Sequence, residues 1–307
     1  MITITATAES VAQAKELLEA GVDRLYIGDE TFALRVPTAF TKNEISEIIE
    51  MAHAVGKTVT IAVNALMHTE KMAIIRPYLD FLQSVGADRL AVGDAGVIYV
   101  LRTEDYVLPY SYDASTMVAS SRQVNFWAEQ GAVEAVLARE LPQPELAAMA
   151  ETLVIPGEIL VYGATVIHHS KRPLLQNYYN FVQNDAEKKD KKSNHFIAEP
   201  TDDGTHYSIF EDSHGTHIFA NDDLDMMPKL SELTEMGYDH WKLDGIFTHG
   251  DTFVEIVKLF IEAKNLIDTG TVSAEKLAAL DEKVRQLHPE GRTLSQGFYD
   301  LDPTTIK

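Results

Sequence analysis

Short runs of β-branched and aromatic residues alternate with helical patterns along this chain, and that alternation limits the folds open to it more than any other feature. The runs are ITITATA, RLYIG, TVTIAVN, RLAVG, LPYSYDA, AVEAVLA, EILVYG and HWKLDGIF, eight in all. Helical patterns between them place parallel βα units along the chain. ESVAQAKELLEAG ends on a glycine suited to a helix C-terminus, and TKNEISEIIEMAHAVG opens with Thr41 three residues before Glu44, the spacing of a capping box. PQPELAAMAE begins with prolines suited to a first helical turn. Eight such units predict an α/β fold, a TIM-like (β/α)8 barrel, whose chemistry sits at the C-terminal ends of the strands. An open doubly wound sheet would alternate in the same way, but no GxGxxG follows any strand.

The expected organisation is a single barrel domain over residues 1–307. An insertion at about 164–224 separates the seventh and eighth strands and contains the run DAEKKDKK and a β-hairpin, HYSIFEDSHGTHIFA, turning at Asp212 to Gly215. A helical tail is expected over about 252–307, with TFVEIVKLFIEAKNLID as its longest helix. No apolar run approaches the roughly 18 residues that span a bilayer, and the N-terminal residues lack a secretory pattern, so a cytoplasmic protein is expected, with no membrane contact. Lys and Arg number 26 against 47 Asp and Glu, a formal net charge of −21. So acidic a chain is a poor stand-alone binder of RNA or DNA unless a local basic patch or a basic partner supplies the missing charge.

There is no cysteine. Disulfides, thiolate nucleophiles and cysteine-held metal sites are therefore excluded, and no cofactor is expected. The barrel geometry nominates residues at strand ends: Gly28-Asp29-Glu30, Asn64, Gly93-Asp94, Asp113 to Thr116, Arg139-Glu140 and Asp244. Taken singly, Asp and Asn at such places serve most often as turn formers and caps. Arg139 and Glu140 are harder to dismiss, because charges at the end of a buried strand need partners. After the seventh strand come His168, His169, Ser170, Lys171 and Arg172 in succession, either a polar lip over the site or a solvated loop. Eight of the eleven histidines fall between 168 and 249, and His214 and His217 have a spacing that zinc can use. In a hairpin these two flank a turn, and the preferred reading is hydrogen-bonded or exposed imidazoles with no metal. No GxSxG elbow or GxxxxGK[ST] loop is present.

The stretch LPYSYDASTMVASSRQVNFWAEQGAVEAVLARELPQPEL, followed by EILVYGATVIHHSKRPLLQNY, resembles peptidase family U-32, the collagenase-like peptidases. GVDRLYIGDETFALR, GADRLAVGDAGV, WKLDGIF and QGFYD extend the resemblance over most of the chain. It implies a TIM-like barrel. It also implies an iron–sulfur cluster in several members, held by cysteines whose first two positions correspond here to Val166 and Pro173, so this chain is not expected to hold one. Members have been called proteases, and others are linked to hydroxylation of tRNA wobble uridine, ribosomal RNA or the ubiquinone ring, some as pairs of related chains. The resemblance implies a diverged or accessory subunit in RNA modification, 5-hydroxylation of tRNA wobble uridine, partnered by a cysteine-bearing paralogue or by a second copy of itself and meeting tRNA only indirectly or through a partner. Arg139, Glu140, His168 and His169 are the expected catalytic residues. Arg172, Lys171, Asn64, Asp113 and Asp244 are the expected substrate contacts. A collagenase-like hydrolase using Asp or Glu, with or without a histidine-held metal, and a non-catalytic scaffold that clamps a small carboxylate, stay open as alternatives. Relatives carry Arg after the acidic residue and Gly of the last strand, where this chain has Ile246.

Overall fold

The computed structural model describes residues 1–114, 118–183 and 190–305. Eight parallel strands close into a barrel: β1 (Thr3–Thr7), β2 (Arg24–Ile27), β3 (Thr58–Val63), β4 (Arg89–Val92), β5 (Tyr110–Tyr112), β6 (Ala132–Val136), β7 (Gly157–Ser170) and β11 (His240–Leu243). Closure is direct, since β11 pairs in parallel with both β1 and β7. The helices between strands are α1 (Val11–Ala20), α2 (Lys42–Ala54), α3 (Thr69–Ser84), α4 (Ala95–Thr103), α5 (Ser121–Glu129) and α6 (Gln143–Ala150). Their ends follow the sequence signals. Thr41 and Glu44 form the reciprocal capping box that starts α2, and Gly21 ends α1 in a left-handed conformation at φ 109°.

Strand alternation divides the side chains between two environments. Leu25, Ile27, Val59, Ile61, Leu90 and Val92 point outward into the main core beneath the helices. Tyr26, Ala62 and Ala91 point inward and form a small separate cluster with Ala33 and Val36. Toward the N-terminal ends of the strands the interior is closed by charge. Arg24 donates to both Glu134 oxygens at 2.9 and 3.1 Å, Ser111 donates to the same carboxylate at 2.7 Å, and Arg89 and His240 pair with it. Burial alone would raise the Glu134 pKa, but the His240 hydrogen bond and the two arginine charges hold it well below the ordinary carboxylate range. This floor belongs to the end of the barrel that serves stability.

The seventh strand does not stop where its apolar run stops. It continues through His168 and His169 to Ser170, so the polar run expected to be a loop is largely strand. The reason is an antiparallel partner, β10 (Gly215–Asp225), which pairs along it from Thr216↔Ser170 to Asp225↔Tyr162. Gly163 permits the change of direction: at φ 119°, a Cβ there would lie 2.2 Å from the Asp244 carbonyl oxygen. The rest of the insertion comprises α7 (Leu174–Phe181), β8 (Phe196–Glu199) and β9 (Asp202–Asp212), with β9 and β10 forming the expected hairpin at Asp212 to Gly215. Part of the run 185–192 lies outside the described residues. After α8 (Leu230–Glu235) and β11 come α9 (Gly250–Asp268) and α10 (Ala274–Leu287). The tail is not wholly helical, because β12 (Thr293–Ser295) returns to pair with β10 through its backbone. Among the described residues no helix is long and apolar enough to cross a membrane.

Candidate functional site

At the C-terminal ends of the strands the barrel opens into a cavity of about 470 Å³. Asn64 follows β3 and Asp113 follows β5, and both are buried. The Asn64 amide nitrogen donates to Asp113 Oδ2 at 2.8 Å and to the Tyr26 hydroxyl at 3.2 Å, while its oxygen accepts from the Leu34 backbone at 2.9 Å. Every polar atom of this asparagine is therefore placed, and its orientation follows from its neighbours. Tyr26 also reaches Asp113, at 3.4 Å, and burial beside that carboxylate pushes its hydroxyl pKa well above the usual value. Gly93 lets β4 pass close by, since a Cβ there would meet the Asp113 carbonyl at 2.4 Å.

Positive charge enters from two directions. Arg35, in the loop after β2, holds φ 53°, a backbone conformation that a bulky side chain seldom adopts and that often marks a functional site. Burial lowers its pKa, opposed by the Asp113 charge. Lys242, only 4 % exposed, points inward from β11 with its ammonium 3.4 Å from the centre of the Tyr26 ring. Asp244, two residues on, is buried enough to raise its pKa, while Lys242 and Arg139 pull it back. Arg35 and Lys242 thus lie in the electrostatic reach of the buried carboxyls Asp113 and Asp244 at this end of the barrel, an arrangement suited to orienting a small polar ligand.

One wall of the cavity is β7, through Val166, Ile167, His168 and His169. The His169 ring stacks on His217 at 4.6 Å between centres and 4° between planes. Burial and the neighbouring His217 bring the His169 pKa down to about 4. His217 Nε2 lies 2.9 Å from Asp212, and among the described residues its buried Nδ1 has no hydrogen-bond partner. His214 bridges Lys71, at 2.9 Å, and the Glu30 carbonyl, at 2.8 Å. Both hairpin imidazoles are buried and hydrogen-bonded, and among the described residues no group of three His, Cys, Asp or Glu is arranged as a metal site.

The structure therefore gathers Asn64, Asp113, His168 and His169 around one cavity, while Asp244 does not line it and Arg139, whose charge acts on Asp244, lines a separate small cavity with Leu137 and Leu141. Glu140, Lys171 and Arg172 do not line it. Burial raises the Glu140 pKa, and its Oε2 has no hydrogen-bond partner among the described residues. Lys171 is exposed and donates to the Ser213 carbonyl at 3.2 Å. Ser115 and Thr116 lie outside the described residues. Sequence reasoning passed over Arg35, Tyr26 and Lys242. Arg35 closes the segment GVDRLYIGDETFALR but sits beyond a strand end, whereas a lysine within an apolar strand was a readable sign of an inward charge.

A family model described as Peptidase family U32 matches residues 9–307. The chain belongs to that family. This U32 chain is 31% identical over 296 residues to tRNA hydroxylation protein P2 of Bacillus subtilis (strain 168), covering 95% of this chain and 96% of that one. It is 26% identical over 268 residues to tRNA hydroxylation protein P of Escherichia coli (strain K12), covering 73% of this chain but 59% of that relative. Among solved structures, that of the U32 peptidase Mk0906 is similar at 17% identity and a TM-score of 0.47, over 54% of this chain and 70% of that one. The barrel assignment rests on the strand pairing itself.

Proposed function

We propose that this U32 chain is a diverged or accessory subunit in RNA modification, acting in 5-hydroxylation of tRNA wobble uridine beside a cysteine-bearing relative. The observation that carries the reading is the 31% identity along 96% of a protein named for tRNA hydroxylation. The thiolate set implied by the family does not fit here. Val166 is 3 % exposed and packs in an apolar cluster with Ala164, Phe210, Phe219 and Ile246, while Pro173 precedes α7 as its cap. The sequence supplies no cysteine elsewhere. In this reading the chain binds and orients a polar substrate at the mouth through Arg35, Asn64 and Asp113, and redox chemistry lies with the partner. The setting is cytoplasmic, where tRNA is modified.

The test is genetic and biochemical. Deletion in the native host should lower wobble hydroxyuridine, measured by nucleoside mass spectrometry, and the tagged chain should co-purify with a cysteine-bearing family member. The purified chain alone should hold no stoichiometric iron or acid-labile sulfide. Unchanged hydroxyuridine together with purification of the chain alone would end this reading.

A further inference from the structure

A second cleft, of about 910 Å³, opens at the same end of the barrel and shares none of the described residues that line the mouth cavity. It lies between the insertion, the loop after β11 and the segment following α10. Its size is in the upper range of small-ligand sites and accommodates a nucleotide rather than a single small metabolite.

Its walls offer aromatic faces. Phe196, at the start of β8, is 54 % exposed, and its ring lies 4.3 Å from the His206 imidazole at a tilt of 53°. Phe247 carries the Arg292 guanidinium 4.5 Å from its ring centre. Arg292 is fixed there by a two-pronged ion pair to the buried Asp223 and by a hydrogen bond to Ser208. The charges in the cleft nearly cancel. Lys191 and Arg292 stand against Glu9, Asp190 and Glu290. Lys191 donates to the Val36 and Pro37 carbonyls, and Arg292 is matched by Asp223, so neither cation is set out for a phosphate. A flat neutral ring with polar edges suits these walls, and a chain of net charge −21 gains more from stacking on a base than from contact with its phosphates.

We propose that this cleft holds an unstacked nucleobase of single-stranded RNA, with Phe196 as its stacking face and the Phe247–Arg292 pair as a further part of the lining. The assignment rests on the reading of the chain as part of an RNA-modifying assembly. The adjoining barrel mouth and the cleft then contact the same RNA from two openings at one end of the fold.

The test uses the full chain, alone and in the complex recovered from its host. The probe is a single-stranded oligouridine about ten nucleotides long, within the usual site sizes of single-strand binders, with 4-thiouridine at its centre. Irradiation should crosslink it to segments 194–210 or 246–249. Phe196→Ala should weaken binding about five- to a hundredfold and Phe196→Tyr should restore it. Phe196 is exposed, so an unchanged melting temperature confirms that the variant is folded. No crosslink, a crosslink confined to the mouth segments 64–66 or 166–169, or one indifferent to Phe196→Ala would overturn the assignment. The deletion strain separates the two claims. If Phe196→Ala restores hydroxyuridine in full, the cleft assignment falls and the proposed function stands. If deletion itself leaves hydroxyuridine intact and the chain purifies alone, the function falls and the crosslink still decides the cleft.

Discussion

Asp225, at the end of β10, should make this protein lose stability as pH rises, and Asp225→Asn should remove that loss. The Asp225 carboxyl is fully buried; its Oδ1 accepts from the Met227 backbone at 2.9 Å. Its Oδ2 and the Oδ1 of Asp281 on α10 are both buried and, as carboxylate oxygens, have no hydrogen-bond donor among the described residues. A proton on Asp225 resolves both, because the resulting hydroxyl donates to Asp281. Burial first, and then the Asp281 contact, raise the Asp225 pKa to about 8. A raised carboxyl stabilises the fold most below its unfolded value near 3.8, and that contribution is lost as pH rises through about 8. At about 1.4 kcal/mol per unit, the interval from pH 5 to pH 8 spans at most about 4 kcal/mol, and sharing of the proton with Asp281 brings a realistic figure to about 2–4 kcal/mol. For a chain of this size that is about 4–8 °C in melting temperature. An asparagine keeps the Met227 contact and donates its amide N–H to Asp281 at every pH. Thermal unfolding followed by circular dichroism should show wild type and variant within about 2 °C at pH 5 and the variant several degrees higher at pH 8.5. Equal destabilisation of the variant at both values would refute the shared proton.

Other expectations follow from the same structure. Glu134→Gln should cost about 3–5 kcal/mol at pH 7, since Arg24 and Arg89 lose their buried partner. Because the Glu134 pKa is depressed, its contribution is present above about 4.5 and fades below, so the gap between wild type and variant in denaturant titrations should narrow toward pH 3. The His169 ring should stay neutral from pH 8 to about 5 in NMR titrations and protonate only near 4; a midpoint near 6.5 would contradict its stacked, buried placement. Arg35→Ala and Asn64→Leu should each lower wobble hydroxyuridine about tenfold in a complemented deletion strain with protein levels unchanged, the scale of a lost hydrogen bond to a charged group. Full complementation by both would move the site away from the mouth.

The barrel was legible because every strand run is apolar on both faces or alternates cleanly, and because caps such as Thr41 and Gly21 mark helix ends in single residues. The mouth was legible only where site residues stand at strand ends, as Asn64, Asp113 and Asp244 do. Arg35 was not, because its role depends on a left-handed backbone in a loop seven residues past Gly28. The outer half of β7 was misjudged for a different reason. Histidines and a serine signal a loop in isolation, and only pairing with β10, about fifty residues later, makes them strand. Lys171 and Arg172, two and three residues after His169, lie past the end of the strand and do not line the cavity, so proximity along the chain overstated their part in it.

The long β7–β10 ribbon has a practical corollary. Ser170 and Thr216 face each other at its outer end, so α7, β8 and β9 all hang from a point where the two strands are already side by side. A two-residue turn between those positions closes the ribbon with 45 residues excised, leaving the His168 and His169 wall of the mouth while deleting Phe196 and the hairpin side of the second cleft. Such a minimised chain exposes the β10 edge that β9 now covers, and a lysine placed there guards it against self-association. The excision gives a single variant in which the two openings are uncoupled, so that what each contributes to substrate capture is read separately.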